Sequence, residues 1–158
     1  MEAYLKRYLQ AYRPYREHWN YEDGCVLTGC IRLFAATREP AYRRFVLDYL
    51  NPRVTRDGAI PSFDTSAYNI DSINCGKALF FALDETGEPR YRKAAEFVMG
   101  RLRTHPRCDC GSFWHKSIYP RQIWLDGLYM AQPFYLEYER RFGGLARLPD
   151  ILTQFENV

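Results

Sequence analysis

At 158 residues the chain is long enough to bury a core of its own, and it reads as one domain over 1–158. Apolar residues make up 47% and aromatics 16%, but no apolar run approaches the roughly 20 residues of a membrane span, which argues against a membrane protein. Net charge is only +3, with the basic residues, mostly Arg, scattered among acids, so no stripe for nucleic acid forms.

Apolar residues recur at helical spacing along nearly the whole chain, and no alternating strand with paired turns stands out, which predicts an all-α protein. The first helix runs from Met1 to about Tyr12, with Tyr4, Leu5, Tyr8, Leu9 and Tyr12 on one face expected to join the core, and Pro14 ends it. A second spans about Asp23 to Ala36. A third starts near Pro40, carries Tyr42, Phe45, Val46, Tyr49 and Leu50 on one side, and closes before Pro52. After a Gly/Pro/Ser/Asp-rich loop, a fourth helix covers about Asp71 to Asp84 and a fifth Pro89 to Arg103, the latter burying Tyr91, Ala94, Ala95, Val98 and Leu102. A sixth extends to about Arg141 with a bend at Pro133, and a short last helix starts near Pro149.

This order contains a repeat. Thr37-Arg38-Glu39-Pro40-Ala41-Tyr42-Arg43 recurs as Thr86-Gly87-Glu88-Pro89-Arg90-Tyr91-Arg92, 49 residues later. A glycine also returns near the start of every other helix, at Gly24, Gly76 and Gly127. Helix pairs of about 50 residues imply a solenoid or a closed α/α toroid. In a toroid the loops leading into the inner helices surround one mouth. Asp71 and Asp126, 55 residues apart at two such positions, are therefore expected to meet in one cavity. An alternative for either is an N-terminal cap or first-turn acid of its helix.

The stretch from Phe113 to Met130 gathers Trp114, Trp124 and other aromatics with His115, Lys116 and a single acid, Asp126. Aromatic faces beside a few polar groups suit a pyranose ring. His105, Cys108, Cys110 and His115 lie close in sequence, but their spacing departs from the usual zinc patterns, so no metal is assigned. The other cysteines, Cys25, Cys30 and Cys75, read as small buried packing residues. Five cysteines without a framework, and a start lacking a signal-peptide core, suggest the cytoplasm.

Phe113-Trp114-His115-Lys116, then Tyr119-Pro120, Trp124-Leu125-Asp126-Gly127-Leu128-Tyr129-Met130-Ala131 and Pro133-Phe134, closely resemble the signature of unsaturated rhamnogalacturonyl hydrolases, glycoside hydrolase family 105, related to the family 88 unsaturated glucuronyl hydrolases. Trp19-Asn20-Tyr21-Glu22-Asp23-Gly24 and Tyr68-Asn69-Ile70-Asp71-Ser72-Ile73-Asn74-Cys75-Gly76-Lys77 look like the starts of that family's first two inner helices. The resemblance implies an (α/α)6 barrel, of which three helix pairs make about half. It implies Asp126 as the catalytic proton donor and Asp71 as a second essential acid. His115, Lys116, Trp124 and Tyr21 match residues that contact the sugar.

The implied reaction removes a 4,5-unsaturated uronic acid from the non-reducing end of a pectin-derived oligosaccharide by hydrating its enol ether, with no cofactor. Arg121 and Lys116 are candidates to balance the substrate carboxylate. An open half-toroid exposes apolar helix sides, so self-association is a further expectation. A helical-repeat module that holds a saccharide or peptide without turnover is the alternative reading.

Overall fold

The computed structural model describes residues 2–158; Met1, placed at the start of the first helix above, lies outside them. The helices are α1 (Glu2–Ala11), α2 (Tyr21–Thr37), α3 (Pro40–Leu50), α4 (Lys77–Thr86), α5 (Pro89–Arg103), α6 (Asp126–Tyr138) and α7 (Leu148–Glu156). No strand forms among the described residues, where bridge pairing is limited to Arg107 with Phe113 and Lys116 with Tyr119. None of these helices is long and apolar enough to cross a membrane.

α2, α4 with the 3-10 segment before it, and α6 pack side by side as one layer, while α3, α5 and α7 each lie against the helix that precedes them. This is the α/α toroid of repeated helix pairs, about half of an (α/α)6 barrel. The repeat is visible in its turns. α2 ends on Arg38 (φ 57°) and α4 on Gly87 (φ 68°), both left-handed, and each is followed by a Glu and then Pro at the first helical position. Glycine adopts that conformation freely, whereas Arg38 holds it at a cost.

The recurring glycines are contact points between neighbouring helices of the inner layer. A Cβ on Gly24 would lie 2.8 Å from the Cys75 backbone nitrogen, one on Gly76 would lie 3.0 Å from the Phe134 ring, and one on Gly127 would face Ile70 at 3.5 Å. Backbone cannot yield as a side chain can, so Gly24 is the least replaceable of the three. Gly24→Ala is expected to cost about 1–3 kcal/mol, as overpacking does, seen as a lower urea midpoint. An unchanged midpoint would mean that the α2 seam opens freely.

Two predicted elements change. The helix expected from about Asp71 begins instead as a 3-10 helix, Ile70–Gly76, with every residue buried, and becomes α-helical only at Lys77. It is wedged between α2 and α6, and the narrower 3-10 winding fits that space. The Asn69 side chain accepts the Asp71 N–H at 3.0 Å and fixes its first turn. α6 ends at Tyr138 and runs into a π-helical turn, Glu139–Gly143. There the buried Glu139 carboxylate accepts the Arg147 N–H at 3.1 Å and fills the space a side chain at 143 would need.

The Tyr stripe of α1 is only partly used: Tyr4 and Tyr8 are exposed, while Tyr12 sits edge-on to Phe45 at 5.3 Å. Cys25, expected to be buried, is exposed, its Sγ accepting from Asn74 Nδ2 at 3.4 Å; Cys30 and Cys75 are buried as expected. What holds α1 is a buried acid. The Asp23 carboxylate accepts from the Tyr12 hydroxyl, the Tyr15 N–H at 3.0 Å, Asn20 Nδ2 at 2.8 Å and the Tyr49 hydroxyl at 2.9 Å. Burial alone would raise its pKa, but these four hydrogen bonds outweigh it and hold the group below the usual carboxylate value. The same contact, after burial, pushes both tyrosine hydroxyls upward.

Candidate active site

Three chain segments deliver the site: the start of α2, the 3-10 start at Ile70, and the loop from Phe113 into α6. They are laced together by main-chain acceptors. Trp19 Nε1 donates to the Ser72 carbonyl at 2.8 Å, and Asn74 Nδ2 donates to the Tyr21 carbonyl at 3.0 Å. His115 is tied on both sides: its N–H donates to the Gln122 carbonyl at 2.8 Å and its carbonyl accepts the Ile70 N–H at 3.0 Å. Ile70 precedes one acid and Gln122 stands four residues before the other.

The two acids converge with the histidine. A carboxylate oxygen of Asp71, a ring nitrogen of His115 and a carboxylate oxygen of Asp126 all lie within 4.8 Å of one another. Asp71 is buried and Asp126 exposed at the first position of α6, where Leu125 at the cap offers no side-chain bond. Lys116 Nζ pairs with Asp71 Oδ2 at 2.8 Å, and His115 Nε2 stands 3.9 Å from the same oxygen. Asn69, not Asp71, caps the 3-10 helix; Asp71 is an acid of its first turn, with its side chain paired to Lys116.

The imidazole of His115 stacks on Trp124 at 4.1 Å and 9°, and Trp124 stacks in turn on Tyr119 at 5.0 Å and 20°. Trp124 itself is half-exposed, its Nε1 held by Gln122 Oε1 at 3.0 Å. Burial pushes the His115 pKa below its ordinary value and the Lys116 charge acts the same way; Asp71 and Asp126 pull against them. The ring is therefore neutral near pH 7, with one nitrogen able to donate and one to accept. Neither ring nitrogen has a hydrogen-bond partner, nor does Asp71 Oδ1. A buried polar atom left so costs about 1–3 kcal/mol.

Beside the acids opens a cleft of about 310 Å³, lined by Trp19, Tyr21, Asn69, Ser72, Lys116 and Ile118 among others. Lys116 belongs to both the cleft and the acid cluster. Tyr21, at its rim, feels the charges around it: Glu22, then burial and Asp71, raise its hydroxyl pKa, and Lys116 lowers it. Arg121 is elsewhere. It occupies a left-handed turn position (φ 59°), outside the cleft lining, and its charge is felt at Cys108. His105 and the Cys-x-Cys pair do not join His115: His105 Nε2 bonds the Trp114 carbonyl at 2.7 Å, and burial pushes its pKa down to about 4. Tyr119 and Gln122 were not singled out from sequence as site residues, because a stack across a turn leaves no periodic signal.

Known proteins resemble this chain in sequence and in fold. The sequence profile of Glycosyl Hydrolase Family 88 matches residues 2–158. The unsaturated rhamnogalacturonyl hydrolase YesR of Bacillus subtilis (strain 168) is 27% identical over 143 residues, 87% of this chain. A solved glycoside hydrolase from family 105 of C. acetobutylicum ATCC 824 superposes with a TM-score of 0.83 and 40% identity over 88% of this chain. The chain spans 40% of the length of the first and 39% of the second. With the inner-layer geometry and the profile match over all described residues, the chain belongs to glycosyl hydrolase family 88.

Proposed function

We propose that the chain is one partial (α/α)6-barrel domain that hydrolyses a 4,5-unsaturated uronic acid from the non-reducing end of a rhamnogalacturonan-derived oligosaccharide. The observation that carries this reading is the meeting of Asp71, His115 and Asp126 within 4.8 Å beside a stacked aromatic face. Asp126, the exposed acid, gives a proton to C4 of the C4=C5 bond. Positive charge then spreads over C5 and the ring oxygen. Water, relieved of a proton by Asp126 or Asp71, adds at C5 to form a hemiketal. The C5–ring-oxygen bond breaks to leave a ketone, and the hemiacetal now at C1 collapses to an aldehyde, releasing the shortened saccharide.

His115 and Lys116 supply hydrogen bonds to the sugar, and Trp124 and Tyr21 flank it. The Lys116 ammonium, already over Asp71, is the cation nearest to hand for the substrate carboxylate. The test is the ultraviolet absorbance of the conjugated enol ether on mixing the chain with unsaturated rhamnogalacturonan disaccharide. Its decay supports the reading. Saccharide binding without decay favours the non-catalytic binding module.

Five free thiols suit the cytoplasm as the place of action. The exposed side of α6 and its cap residue carries Leu125, Tyr129 and Leu136, exposed at 74%, 44% and 41%. A second copy covering that face is expected to make the sedimentation coefficient rise with concentration. A value constant at the monomer's would discard self-association.

A further inference from the structure

His115 is 2% exposed and Asp71 3%, and three of their polar atoms have no partner. A sugar hydroxyl satisfies such atoms one or two at a time. A cation can take one atom from each of three side chains at once, because one imidazole nitrogen and two carboxylate oxygens already lie within 4.8 Å of one another. The imidazole is held ready by Trp124 and by main-chain bonds on both sides, so little ordering is needed. One nitrogen and two hard oxygens suit a borderline divalent ion better than Mg²⁺, which prefers an octahedron of oxygens.

We propose that Asp71, His115 and Asp126 form a binding site for a divalent first-row transition ion of the Zn²⁺ type, which blocks the saccharide reaction by occupying both acids. The blocking rests on the function proposed above; the binding does not. Lys116 pairs with Asp71 Oδ2 at 2.8 Å, so an ion held by Asp71 meets the ammonium beside it. Lys116 is thereby the residue that holds the affinity down in favour of the sugar.

Co²⁺, titrated into the whole chain and followed by its visible absorption, tests this directly, with circular dichroism as the check on folding. One equivalent is expected to bind and to be displaced by Zn²⁺. His115→Gln and Asp126→Asn are expected to weaken binding by at least about tenfold, the scale on which even outer partners of a metal act. Lys116→Met, which removes the opposing charge, is expected to tighten it about tenfold. Since His115 is buried, the exposed Asp126 carries the comparison if His115→Gln is unfolded. No Co²⁺ signal, or one that Asp126→Asn and Lys116→Met leave unchanged, overturns the proposal. Saccharide turnover is read in a separate cuvette. Co²⁺ binding without turnover keeps the metal site and removes the hydrolase, whereas turnover that Zn²⁺ leaves untouched removes the blocking.

Discussion

Asp126→Asn is expected to lower turnover of the unsaturated disaccharide by about 10²–10⁴-fold, the range that positioned proton donors supply. The amide keeps the size of the carboxyl group but has no acidic proton to give C4. Because Asp126 is exposed and starts a helix, the variant should fold, with its helical signal unchanged. The loss should fall on kcat, with KM little altered, as His115, Lys116 and Trp124 remain to hold the sugar. Asp71→Asn differs in kind, for it also breaks the 2.8 Å pair with Lys116 and should disturb binding as well as rate. A fall below tenfold in the Asp126 variant would remove it from the donor's role and leave Asp71 as the acid.

The largest stability effect is expected at Asp23, which lies outside the site. Asp23→Ala strands the hydroxyls of Tyr12 and Tyr49, the Tyr15 N–H and Asn20 Nδ2. The expected cost is about 3–5 kcal/mol, the range for partners of a buried charge left unpaired, or roughly 10 °C in Tm for a chain of this size. The group also sets an acid limit. Its folded pKa is held below the unfolded value of about 3.9, so its contribution is complete above that pH and fades as pH falls through the folded pKa. The native chain should therefore lose stability below about pH 4, and Asp23→Ala should lose less over the same interval. Equal melting curves and equal acid sensitivity would show that α1 is held by packing instead.

Much of this architecture can be read from the chain. Helical periodicity, Pro at helix starts and the repeat around Pro40 and Pro89 place α3 and α5 within a residue or so of their observed ends. Asp71 and Asp126 are found from their equivalent positions ahead of inner helices. The 3-10 start at Ile70 is not legible, because the segment is packed between α2 and α6, which come from distant parts of the chain. The exposed side of α2 at Cys25 is equally hidden: periodicity tells which residues share a face, not whether anything covers it. Likewise, no local pattern announces that His115 lacks a partner while lying flat against Trp124.

The main chain of His115, clipped to Ile70 on one side and to Gln122 on the other, works as a splint between the two acid-bearing segments. Within the loop it closes, Ser117 and Ile118, between Lys116 and Tyr119, form an exposed tip beside the cleft, with Ile118 72% exposed. The main-chain tie to the Asp71 segment thus runs through His115, below the tip. On the function proposed above, a change of side chain at the tip alters what the cleft meets while leaving the main-chain tie between the acid-bearing segments in place.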